Sequence, residues 1–175
     1  MDQTQVIARL ERFEGRTNYM YRCTGGEVTI GIGHAILSVA DAPQLSWQTG
    51  ADQAQADWAT IEGTPKGQLD SSYSHLTTCR MSDDAINQLA ADDVQRFTGL
   101  LKTSLPNWDS YPAPAQEALF DMAYNLGVGG LLKFHNMLAA VNAGDWETAA
   151  QQCHRMGIDD ERNQETATLF RQAAG

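Results

Sequence analysis

FEGRTNYMYRCTGGEVTIGIGH, residues 13–34, decides how this chain is read. Two runs rich in β-formers, YMYRC and EVTIGIG, flank Thr24-Gly25-Gly26, and that spacing predicts a β-hairpin. Upstream, Val6, Ile7, Leu10 and Phe13 recur at helical spacing. Residues 3–14 are therefore expected to form a helix, with Asp2 and Gln5 as its capping pair and Gly15 as a left-handed stop. Glu14 stands where this helix hands over to the hairpin, a place where backbone polar groups converge. Cys23 on the first strand and Thr29 on the second can be brought to one face across the glycine turn, directed at Glu14.

Further along, residues 35–80 are rich in Gln, Ser, Thr, Ala and Gly. A structureless loop of that length is uncommon inside a compact domain, so ADQAQADWATIE is expected to supply a helix within an elaborated small lobe. From Ser82 the pattern turns helical. Ser82 caps a run whose core face reads Ile86, Leu89, Ala90, Phe97, Leu100 and Leu101, with Asp83 and Asp84 at the favourable end of the helix dipole. SLPNWDSYPAP breaks the run, Pro114 opens PAQEALFDMAYNLG, and Gly127 closes it. LLKFHNMLAAVNAG and DWETAAQQCHRM follow as helices, and residues 162–171 form the last. The fold class is α+β, mainly α: a hairpin-bearing N-terminal lobe, approximately 15–80, on a larger helical lobe of 1–14 and 81–175, with a cleft between them.

The 175 residues suit a single domain, 1–175, large enough to bury a real core. The formal charge of −10 with no Lys/Arg stripe excludes a nucleic-acid binder, and approach to an anionic surface would meet long-range repulsion. The N-terminus lacks the basic and apolar regions of a signal peptide, and no stretch approaches the ~20 apolar residues of a membrane span. Cys23, Cys79 and Cys153 are odd in number and widely spaced, which fits reduced thiols, although one bridge stays open in an oxidising compartment. Cys153 and His154 are helix neighbours that point apart, and no His-Glu-x-x-His or Cys-x-x-Cys spacing occurs. Neither metal nor cofactor is expected. GVGG at 127–130 lacks a Walker lysine and reads as a turn between helices. Trp108 and Trp146 read as core, while Trp47 and Trp58 stay open as sugar platforms.

A carboxyl shielded at the Glu14 position can have its pKa raised and act as a general acid. Glycosidic cleavage needs such an acid for the leaving oxygen and a second group on the other face of the sugar. Spacing alone leaves the plainer reading in place, with Glu14 a surface helix residue and Cys23 and Thr29 ordinary strand residues. The wider sequence changes that balance. YRCTGGEVTIGIGH, together with MAYNLG and the late RNQETATLF, resembles the phage-type lysozymes (glycoside hydrolase family 24) through residues 3–34 and 82–171. That family's triad is Glu, eight residues, Asp or Cys, five residues, Thr, and Glu14, Cys23 and Thr29 match it, with Ile30 to His34 matching its flank.

The resemblance implies a peptidoglycan muramidase that cleaves the β-1,4 bond between N-acetylmuramic acid and N-acetylglucosamine. Glu14 would be the general acid, Cys23 would stand at the second catalytic position, and Thr29 would orient water or an intermediate. Tyr124 and Asn125 fall where the family lines its sugar cleft, and Arg162 where a basic residue can steady the glutamate. His34 is expected to be structural, hydrogen-bonding between lobes. An unperturbed thiol, with a pKa of about 8.5, is only a few per cent thiolate at neutral pH. Cys23 could be an activated nucleophile (retention), a holder of water (inversion) or a spacer. Glu27 is a possible substitute carboxylate, read first as an exposed strand residue. The implied setting is synthesis in the bacterial cytoplasm and action in the periplasm, as a monomeric endolysin or as the lytic domain of an antibacterial effector with an immunity protein as partner. A murein-binding or structural domain that kept the fold and lost catalysis is the alternative.

Overall fold

The computed structural model describes residues 1–175. The chain divides into two compact units, Ile7–Asp93 and Met1–Val6 with Val94–Gly175. The architecture is α+β and mainly helical, and no helix is long and apolar enough to cross a membrane.

Helix α1 (Gln3–Glu14) starts as its first residues dictate. The Asp2 carboxylate accepts from the Thr4 and Gln5 amides at 2.8 and 3.3 Å, satisfying two donors that have no partner within the helix. Gly15 ends it at φ 75°, its N–H donating to the Glu11 carbonyl at 2.9 Å.

In the Ile7–Asp93 unit, β1 (Thr17–Arg22), β2 (Val28–Gly31) and β3 (His34–Ile36) form an antiparallel sheet in chain order. EVTIGIG is thus not one strand. Gly31 and Gly33 adopt φ of 66° and 74°, the chain reverses at Ile32-Gly33, and β3 returns along β2 with Thr29 opposite Ala35. Glycine enters the left-handed region without a Cβ clash, so a run that alternates like a strand can still fold back on itself. Met20, Ile30 and Ile36 are buried at the centre of this unit.

Residues 35–80 are well structured. Strand β4 (Trp47–Thr49) pairs with β5 (Arg80–Met81), α2 (Ala54–Glu62) packs on β1 and β2, and a 3-10 turn at Asp70–Leu76 packs on β1. A buried carboxylate ties the segment together: Asp57 accepts from the Thr78 and Cys79 amides, each at 2.7 Å. Gly50 lets the chain approach there, because a Cβ on it would lie 2.9 Å from the Cys79 nitrogen and the Thr78 carbonyl. Trp47 and Trp58 spend their indole N–H groups internally, on the Ala42 and Ile36 carbonyls.

Helix α3 (Asp83–Ser104) is capped by the Ser82 hydroxyl, which accepts from the Ala85 amide at 3.2 Å. Its buried stripe is Ile86, Ala90, Val94 and Leu101. Leu89 and Phe97 are only half-buried, and Leu100, expected in the core, is 46% exposed. Adjacent residues sit about 100° apart around a helix, and at this turn the covered side takes Leu101 and leaves Leu100 towards solvent.

The other unit holds α4 (Ala113–Leu131), α5 (His135–Ala143), α6 (Trp146–Gln152) and α7 (Asp160–Gln172), with α4 on α7 and α6 against α5 and α7. Gly127 breaks α4 as expected, at φ 70° and ψ 158°, but a further helical turn carries on to Leu131. Consequently α5 begins only at His135, later than LLKFHNM suggests. Asp145 and Asp159 cap α6 and α7 by accepting from the Thr148 and Glu161 amides.

Asp57→Ala strips two backbone donors of a charged acceptor. It is expected to cost about 2–4 kcal/mol, read as a lower urea midpoint at unchanged m-value; an unmoved midpoint would show that the carboxylate does not hold residues 77–79.

Candidate active site

The first hairpin places its residues by register. Tyr21 lies opposite Thr29 and Arg22 opposite Val28, so the next pair along the ladder is Cys23 and Glu27. The Cys23 amide donates to the Glu27 carbonyl at 3.0 Å and the Gly26 amide to the Cys23 carbonyl at 3.0 Å, closing a tight turn with Gly26 at φ 106°. Strand β1 ends at Arg22, so Cys23 belongs to the turn and not to the strand. With side chains alternating between faces, Tyr21, Cys23, Glu27 and Thr29 share one side of the hairpin.

Within that group the contacts are specific. The Cys23 thiol donates to Glu27 Oε2 at 3.0 Å, and the buried Thr29 hydroxyl donates to the Glu27 carbonyl at 3.2 Å. The Cys23 hydrogen bond, helped by a backbone hydrogen bond and by Lys66 and Arg22, holds the Glu27 carboxyl below the usual carboxylate range. Burial pushes the Tyr21 phenol well above its ordinary value, and Asp70, Glu14 and Cys23 add to that electrostatically. Tyr21 is therefore a neutral group beside the charged ones.

Glu14, half-buried at the end of α1, is fixed against the second turn of the sheet. A Cβ on Gly33 would lie 3.0 Å from Glu14 Cγ and 3.3 Å from its carboxyl carbon. The glycine at 33 thus serves twice, reversing the chain and leaving room for the Glu14 side chain. Next to it, His34 Nδ1 meets Asp93 Oδ2 of α3 at 2.8 Å, a half-buried imidazole against a buried carboxylate. Its partner lies in the same compact unit. Arg16 anchors the start of the hairpin, pairing with Glu11 at 2.8 Å and donating to Asn87 at 2.7 Å.

The other sequence-derived candidates lie in the helical unit. Tyr124 packs against Phe97 and Phe120 with ring centroids 5.1 and 6.0 Å away, and beside it the Asn125 amide oxygen is shielded from solvent. Arg162 is buried, its guanidinium pairing with Asp121 Oδ1 at 2.9 Å. Asp121 also pairs through Oδ2 with buried Arg155 at 2.9 Å, and Thr166 links the two by accepting from Arg155 at 2.7 Å and donating to Asp121 at 3.2 Å. Desolvation lowers the Arg155 pKa, and the Asp121 charge opposes that effect. Asp93 and Asp121 carried no mark in the sequence beyond being charged residues on helices, and Arg155 lies in the segment between α6 and α7.

All three thiols are free. Cys79 is pushed up to about 12 by burial and by its hydrogen bond with Asp57, and burial raises Cys153 as well. Both are buried and structural, whereas Cys23 alone is partly exposed.

Comparison with known proteins identifies the family. A family model described as phage lysozyme matches residues 11–173. The chain is 37% identical over 146 residues to the pre-baseplate central spike protein Gp5 of Enterobacteria phage T4. That match takes in 80% of this chain and 22% of that protein, so the chain spans about a fifth of the length of the curated relative it matches.

Gly33→Ala is expected to strain the turn and displace Glu14, lowering stability by about 1–2 kcal/mol and peptidoglycan turnover at least about tenfold, since small misplacements of reacting groups are costly. Thermal melting and turnover measured side by side check this; full turnover by the folded variant would show that residue 33 does not set the position of Glu14.

Proposed function

The chain belongs to the phage lysozyme family, and from that premise we propose that it is a glycoside hydrolase of the muramidase type, cleaving the β-1,4 bond between N-acetylmuramic acid and N-acetylglucosamine in peptidoglycan. The observation that carries the reading is the placing of Glu14, Cys23 and Thr29 within one compact unit, on the end of α1 and around one hairpin. Glu14 is the general acid that protonates the leaving glycosidic oxygen. Cys23 stands at the second catalytic position, and Thr29 orients the attacking water. Tyr124 and Asn125 contact the glycan, while His34 and Arg162 are supporting residues, each braced by a buried aspartate. The residues from 1 to 175 act as one lysozyme-like domain.

The charge of −10 bears on delivery, because a freely diffusing lysin gains from positive charge when its target is anionic. We therefore read the chain as the lytic part of a delivered assembly or antibacterial effector in preference to a free endolysin, acting in the periplasm. Similarity to a central spike protein supports this. An effector of this kind is expected to co-purify with an immunity protein made beside it.

Digestion of purified murein tests the chemistry. Products with reducing muramic ends are expected, and Glu14→Gln should lower their release at least about 100-fold, the scale of a lost general acid. Anhydro-muramic ends, or full activity in the variant, would overturn the assignment.

A further inference from the structure

We propose that Glu27 is the second carboxylate of this site: held by the Cys23 thiol, it takes the proton of the water that attacks the anomeric carbon, which makes Cys23 a positioning residue and the reaction an inverting one. The inference rests on the muramidase reading above and deepens it. Four observations carry it. Glu27 is the cross-strand partner of Cys23, and so shares a hairpin face with Thr29 and Tyr21. Its carboxylate folds back over the turn to receive the thiol proton at 3.0 Å, with Lys66 and Arg22 adding electrostatic attraction. Gly25 makes that fold possible, since a Cβ there would lie 2.3 Å from Glu27 Oε2. Thr29 donates to the Glu27 backbone, so two residues of the triad converge on Glu27.

The chemistry follows from the donor sense of the bond. A thiol that donates to a carboxylate keeps its proton and is no nucleophile, whereas the ionised carboxylate beside it can accept one. Glu14 gives its proton to the glycosidic oxygen as the bond from that oxygen to the anomeric carbon breaks. Water forms the new bond to the same carbon from the opposite face and passes its proton to Glu27. Protons exchanged with solvent then restore both groups. One sugar leaves with a new hydroxyl and the other with an inverted anomeric centre.

On purified peptidoglycan, Glu27→Gln is expected to lower kcat about 100-fold with KM little changed, its thermal midpoint staying near that of the parent because the side chain is exposed. Cys23→Ser, which can still donate to Glu27, should lose far less than Cys23→Ala, and adding Cys23→Ala to Glu27→Gln should cost nothing further. The charged and titratable groups facing Glu27 are Cys23, Lys66 and Arg22, which hold its pKa down. A base must be ionised, so the rate persists above that depressed pKa and falls as pH drops through it. This acid limb should move to higher pH in Cys23→Ala and vanish in Glu27→Gln. In Glu27→Ala, added azide should form a glycosyl azide of inverted configuration. The anomer first released by the unmodified protein gives an independent reading. Retention there, or more than about half of kcat in Glu27→Gln, against the loss expected of a general base, would overturn the assignment of Glu27 and leave the muramidase standing. No reducing ends from the unmodified protein would overturn both.

Discussion

The approach of Gly33 to Glu14 is the constraint on which the Ile7–Asp93 unit turns. A Cβ at 33 would crowd Glu14, lying 3.0 Å from its Cγ, and the same residue sits at φ 74° as β3 returns along β2. Two demands therefore meet at one glycine: a left-handed backbone and empty space. From the return of β3 comes the position of His34, which meets Asp93 on α3, and so the link between the sheet and that helix. Position of Glu14, closure of the sheet and the His34–Asp93 contact with α3 are consequences of one turn.

Around this turn the protein spends buried charge to hold loops and helices in place. Asp57 holds two amides of the segment before β5, and Asp121 holds two guanidiniums between α4 and the region of α7. Buried carboxylates are costly unless fully satisfied, and each of these accepts several hydrogen bonds. Their return is geometric definition: truncating either end leaves charge or amide groups buried without a partner, which costs more than the intact arrangement gains. Residues 35–80, polar in composition, combine such contacts with the buried Ile36, Ile61 and Tyr73.

The hairpin tip shows the opposite economy. Cys23 and Glu27 are joined by a polar contact at the protein surface, where water competes and the contact contributes little to stability, while the buried Thr29 hydroxyl donates to the Glu27 carbonyl from below. Their value is positional. A thiol alone is a poor base at neutral pH, and a flexible surface glutamate alone is badly placed; hydrogen-bonded across a turn kept open by Gly25, the two form a single directed group.

The helix at 3–14, its Asp2 cap and Gly15 stop, the hairpin at Thr24-Gly25-Gly26, the Ser82 cap and the break at Gly127 were all legible in the sequence, because each depends on local chemistry: periodicity, capping hydrogen bonds and the freedom of glycine. So was the spacing of Glu14, Cys23 and Thr29, and the family it resembles. The second reversal at Gly31 and Gly33 was not, since alternating Ile and Gly satisfy a strand pattern whether or not the chain turns. Nor was the exposure of Leu100, which depends on which side of α3 is covered. The partners of His34, Arg162 and Cys23 were hidden for a related reason. Asp93 and Asp121 lie far from them along the chain, and Glu27, only four residues from Cys23, meets it solely because the turn has a particular register. Sequence by itself determined the spacing of the candidate residues and the family they resemble; the tertiary structure decided which of them meet, because distance in space is set by turns and packing that a local pattern does not encode.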